Sequence, residues 1–95
     1  MPRSPGFFGI RRCVAAGRFR LLVHFTGRMD PRGLVWADIL AVLDSPDDVR
    51  HGGPERFDGP KWIIAGTAAD GLPIEIVCVL DEDDRGELTV FITIY

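Results

Sequence analysis

His24, Arg28 and Arg32 stand four residues apart in the run His24-Phe-Thr-Gly-Arg28-Met29-Asp-Pro-Arg32-Gly33. At that interval side chains on a helix project to one side, although Pro31 leaves the direction of the third open. A histidine exchanges a proton near neutral pH, and an arginine fork grips phosphate oxygens in bidentate fashion. These are the parts of metal-free RNA cleavage. A 2'-hydroxyl is deprotonated, the pentavalent phosphorane is charge-stabilised, and the leaving oxygen is protonated. Lys61, Tyr95 and His51 are the further side chains able to serve such chemistry, and Thr93, on the last strand, borders it. A structural alternative stands beside this one. Arg28 and Arg32 can bridge to acids of the carboxyl-terminal half, His24 can pack or cap a strand-helix junction, and Gly33 can supply permissive backbone between helices.

Other site chemistries leave no trace. There is no phosphate-binding glycine loop, zinc cluster, nucleophile elbow or dinucleotide fingerprint, so neither cofactor nor metal is expected. The turn Asp81-Glu-Asp83-Asp-Arg85-Gly86 imitates the start of a calcium loop, but Arg85 occupies a ligand position and Ile92 stands where a bidentate Glu belongs; it reads as a solvated hairpin turn. Cys13 and Cys78 lack C-x-x-C spacing and interrupt apolar runs, as buried free thiols do.

The elements that must position these residues follow from periodicity. Phe7, Phe8, Ile10, Cys13 and Val14, closed by Gly17, predict a short first helix showing Arg11 and Arg12 outward. Phe19, Leu21, Val23 and Phe25 then alternate with Arg18, Arg20, Leu22 and His24, which predicts a strand with His24 turned from the core. Thr26 reads as the cap of a helical turn through Met29, and Pro31 should push Asp30 toward extended geometry. A second helix is expected over 34–43, with Val35, Ile39, Val42 and Leu43 inward and Ala37, Asp38 and Ala41 largely opposite. Ser45-Pro-Asp-Asp48 has the composition of one further helical turn, and residues 50–60 read as the longest irregular segment. Strands are expected over 62–67, 74–80 and 88–95, joined by short turns and therefore antiparallel. In the last of these Leu88, Val90, Ile92 and Ile94 share one face; Thr89, Phe91, Thr93 and Tyr95 share the other. Trp36 and Trp62 read as core.

Ninety-five residues, 46% of them hydrophobic, fit one domain spanning 1–95. No segment approaches the length of a membrane span and no signal peptide is legible, so the cytoplasm is the expected location. The net charge of −3 argues against a nucleic-acid binder as a whole, but its distribution is uneven. Residues 1–32 carry seven arginines against one acid, a net of +6; residues 33–95 carry four bases against thirteen acids, a net of −9. Such asymmetry fits a basic face for an anionic partner beside an acidic face for a basic one, or charges scattered over a solvated surface.

The pattern H-x-x-x-R-M-x-x-R-G over His24 to Gly33, with Asp38-Ile39 downstream and Thr93-Ile-Tyr95 at the end, resembles the signature of the small bacterial proteins grouped as domain of unknown function 4258. That family is placed near the RelE/ParE-type toxins, and the resemblance runs over about residues 10 to 95. It implies an α+β fold with amino-terminal helices packed on a small antiparallel sheet of three or four strands. It also implies a toxin-like protein of the metal-independent endoribonuclease type, acting on RNA and regulated by an antitoxin-type protein partner that masks its basic face. His24, Arg28, Arg32 and Tyr95 would then be catalytic, and Lys61 and Thr93 would hold substrate. A homodimer is compatible with this scheme. The competing expectation is a non-catalytic protein-binding module, or a degenerate toxin relative with the same fold.

Overall fold

The carboxyl-terminal half folds as a meander because its apolar runs are separated by turns too short for anything but antiparallel return. β3 (Lys61–Thr67) pairs with β4 (Pro73–Asp83) and β4 with β5 (Gly86–Ile94). The computed structural model describes residues 5–51 and 61–95. At the first turn Gly71 takes a φ of +90°, and the Asp70 carboxylate accepts from the Leu72 amide at 3.0 Å. At the second, Gly86 takes +115° and Asp83 accepts from the Arg85 amide at 2.9 Å. Positive φ at both positions is where glycine avoids the penalty of a side chain.

Among the described residues three helices precede or interrupt this sheet: α1 (Pro5–Ala15), α2 (Val23–Met29), which runs into a 3-10 turn over Asp30–Arg32, and α3 (Trp36–Asp44). All three contribute to one core on one side of the sheet. Phe7, Ile10, Phe25, Ile39 and Val42 meet Ile64, Ile76, Cys78, Phe91 and Ile94 there. Contact is close enough that a methyl group built on Gly66 of β3 would lie 2.7 Å from Val42 Cγ1 on α3. Trp62 is buried in this core and Trp36 packs on its margin, stacked on Phe19 with ring centroids 4.9 Å apart. Both cysteines are buried and free, and burial pushes the Cys78 thiol far above its ordinary pKa.

The chain is α+β, and among the described residues its sheet has five strands in the order β1-β5-β4-β3-β2. Two strands depart from the sequence expectations. β1 is only Phe19–Leu21, and it runs parallel to β5 with Phe19 opposite Thr89, which makes the sheet mixed. β2 (Asp48–His51) occupies the stretch that reads as a helical turn and the start of an irregular segment; it pairs antiparallel with β3 as the outermost strand. The rest of that segment, 52–60, lies outside the described residues. The alternation in β5 is broken as well. Cys78 faces Phe91 but Val77 faces Thr93, so Ile92 is an extra residue in a β-bulge. Phe91 and Ile94, three apart, therefore both reach the helix side, and Thr93 turns to the other face with Val77.

Among the described residues no helix is long and apolar enough to cross a membrane.

Candidate functional site

The side chains singled out by spacing gather around α2. The helix begins earlier than Thr26. Leu22 makes the last sheet-like bond, its amide donating to Phe91 O at 3.0 Å, and its own carbonyl then accepts from Phe25 and Thr26. Thr26 is no cap: its hydroxyl donates back to the Val23 carbonyl at 3.2 Å. The cause of the early start is Phe25. As a helical residue it reaches the core, fully buried with its ring 5.3 Å from that of Phe91, whereas Val23, its partner in the strand pattern, is left 83% exposed. His24 thus belongs to a helix rather than to a strand, and it is exposed.

Pro31 does not push Asp30 out of the helix. Asp30 has φ −55° and ψ −55°, and the chain tightens into the 3-10 turn, where proline at an early position removes no needed donor. Gly33, at φ +66°, ends the turn, and the Leu34 amide closes back on Met29 O. His24, Arg28 and Arg32 therefore ride one continuous helical path at successive four-residue steps. His24 and Arg28 are exposed and Arg32 is half-buried.

Tyr95 joins them. The Arg28 guanidinium lies over the Tyr95 ring at 5.9 Å from its centroid, and the ring is 59% exposed. Two reciprocal bonds fix Tyr95 to β4, its amide donating to Glu75 O at 2.8 Å and the Glu75 amide donating to Tyr95 O at 2.9 Å. Thr93 sits two residues away on β5, opposite Val77. Lys61 opens β3 opposite Val79, two strands from β5, and His51 lies on the edge strand with its ring 4.4 Å from that of Trp62. Of the residues singled out, the structure puts Arg28 and Tyr95 in contact, with His24 four residues before Arg28 on α2 and Arg32 in the 3-10 turn that follows.

Charge pairing separates the arginines into two sets. Arg11 binds Asp44, Arg12 binds Glu87, Arg18 binds Asp83, and Arg50 binds both Asp48 and Glu75. The hydrogen bond to Arg18 holds the Asp83 carboxyl below its ordinary pKa and raises that of Arg18. The bond to Glu75, then that to Asp48, raises Arg50. Arg28 and Arg32, like Arg20 and Arg85, bridge to no carboxylate among the described residues. A groove of about 350 Å³ lies elsewhere, between α1 and α3, and none of its lining residues belongs to the His24 group. Among the described residues no three His, Cys, Asp or Glu side chains converge on a point where a metal ion could sit.

Asp38 departs from its expected place on the outer side of α3. It is 8% exposed and uses both carboxylate oxygens: Oδ2 accepts from the Val35 amide at 2.9 Å, and Oδ1 accepts from the Ala69 amide at 3.2 Å. The first bond caps α3; the second ties it to the turn between β3 and β4. An acid three residues into a helix, just after Gly33, is the sequence signal for such a cap.

A family profile described as Domain of unknown function (DUF4258) matches residues 21–95, a span that begins in β1 and contains every residue of the His24 group. Neither a curated protein nor a solved structure matches the chain.

Proposed function

The chain belongs to the domain of unknown function 4258 family, and on that footing we propose that it is a toxin-like protein of the RelE/ParE type that engages RNA through His24, Arg28, Arg32 and Tyr95 and cleaves it without a metal ion. The observation that carries this reading is the pair of arginines on one helical path that no described carboxylate neutralises, next to an exposed histidine and an exposed tyrosine ring. Arg28 offers its fork to a phosphate while the Tyr95 ring limits its rotamers, so less side-chain freedom is lost on binding. Arg32 supplies a second cation along the same path. His24, one turn before Arg28, carries the proton between the 2'-hydroxyl or leaving oxygen and water. The open surface admits a polymer, and an antitoxin-type protein would silence the site by covering it.

The test is incubation of purified protein with total RNA in the presence of a chelator. Arg28→Ala removes a donor to the developing charge and should slow cleavage about 10²-fold or more. His24→Ala should cost roughly 10² to 10⁴. Both variants should match wild type in circular dichroism and melting temperature, because neither side chain is part of the core. Absence of cleavage by folded wild-type protein would refute the nuclease reading.

A second reading, a non-catalytic binding module, is favoured by the exposure of His24, whose ring no described hydrogen bond holds in place. In that case RNA or a protein partner is retained without being cut, and Arg28→Ala weakens binding alone.

A further inference from the structure

Among the described residues β2 has a neighbour on one side only, because β3 fills its inner edge and the sheet ends there. The order of charges along it is distinctive: Asp47 and Asp48 precede Val49, and Arg50 and His51 follow. Asp48 and Arg50, opposite Ala65 and Ile63, occupy the sheet face turned from the helices. Val49 is on the helix side and packs on the core. An edge strand offers a row of backbone donors and acceptors to any strand of matching pleat and charge.

This strand matches itself. Two copies related by a two-fold axis normal to the sheet run antiparallel, and keeping the pleat in phase requires the axis to pass through a residue position. Centred on Val49, the pairing sets Asp48 opposite Arg50 of the other copy twice over, and brings Asp47 to His51 at each end. Centred on Asp48 it would oppose two acids, and centred on Arg50 two arginines, so one register is selected. Arg50 is already drawn across the outer face by Glu75 at 2.7 Å, and its bond to its own Asp48 at 3.1 Å can be exchanged for one to the other copy's Asp48.

We infer that β2 is a self-association edge: two copies of this chain pair their β2 strands antiparallel about Val49 and join their sheets into one of ten strands. The inference goes beyond the RNA reading and does not depend on it, since β2 contains none of the His24 group.

The test uses charge reversals read by sedimentation velocity over a concentration series. Wild type should show reversible dimerisation. Asp48→Lys and Arg50→Glu each turn two attractive cross-strand pairs into repulsive ones, and each should weaken self-association about tenfold or more. An equimolar mixture of the two variants restores opposite charges at both pairs and should dimerise, as should the double variant Asp48→Lys/Arg50→Glu. Recovery in the mixture also shows that the single variants fold. Wild-type protein that stays monomeric through the series, single reversals that dimerise as wild type does, or a mixture that stays monomeric would each overturn the inference.

Discussion

Removing the Asp38 carboxylate should destabilise the protein more than any other single polar deletion described above. In Asp38→Ala the α3 amide at Val35 loses its cap, a change that costs about 0.5–2 kcal/mol. The Ala69 amide loses a bond to a charged acceptor, worth about 1.5–3 kcal/mol. The carboxylate belongs to a residue only 8% exposed, and the two losses combine to about 2–5 kcal/mol, a large share of the roughly 5–15 kcal/mol that holds a small domain. For a chain of this size each kcal/mol lowers the melting temperature by about 4–8 °C, so a drop of at least ~8 °C is expected. Asp38→Asn keeps one acceptor oxygen and turns its amide toward the other donor, and should fall between alanine and wild type. Thermal unfolding followed by circular dichroism measures the loss, and amide hydrogen exchange locates it at Val35 and Ala69. If Asp38→Ala melts within ~2 °C of wild type, or if those two amides keep their protection, the clamp is not what holds α3 to the sheet.

Gly66→Ala drives a methyl group against Val42 and should cost about 1–3 kcal/mol in chemical denaturation. Adding Val42→Ala should recover part of that loss, giving a double variant more stable than the two single effects summed. Asp83, whose folded carboxyl is held below its ordinary pKa by Arg18, contributes stability above about pH 4 that is lost as the pH falls through the folded value. The melting-temperature advantage of wild type over Asp83→Asn should accordingly be present at neutral pH and vanish in acid.

The sequence made the meander legible because its apolar runs and its Asp70-Gly71 and Arg85-Gly86 turns agree locally with the fold. What it concealed was set by tertiary partners. Asp48–His51 has almost no apolar alternation and becomes a strand only through its ladder with β3. Phe25 continues the strand period of Phe19, Leu21 and Val23, yet the pull of Phe91 and the core starts a helix at Val23. The Ile92 bulge leaves no mark in the composition of β5, so Thr93 and Phe91, two apart, were expected on one face and lie on opposite ones. In the candidate site, the His24–Arg28 interval was readable from helical geometry alone. The placement of Tyr95 over Arg28 was not, since it requires the far end of the chain to arrive beside α2. Asp38 was misplaced because helical periodicity assigns it a polar side, whereas capping depends on where the helix begins.

The parallel ladder between β1 and β5 orders events during synthesis. Phe19–Leu21 leave the ribosome early but have no strand to pair with until residues 89–91 follow, so the longest-range hydrogen bonds in the sheet are the last that can form. Phe25 and Phe91 are separated by the same stretch, and Arg28 meets Tyr95 only once β5 is laid down. A ribosome-bound chain short of its last strand therefore carries His24, Arg28 and Arg32 without the surface that assembles them. The contact between Arg28 and Tyr95 cannot form before translation has passed the final strand, and premature termination upstream of β5 yields a chain with an unfilled sheet.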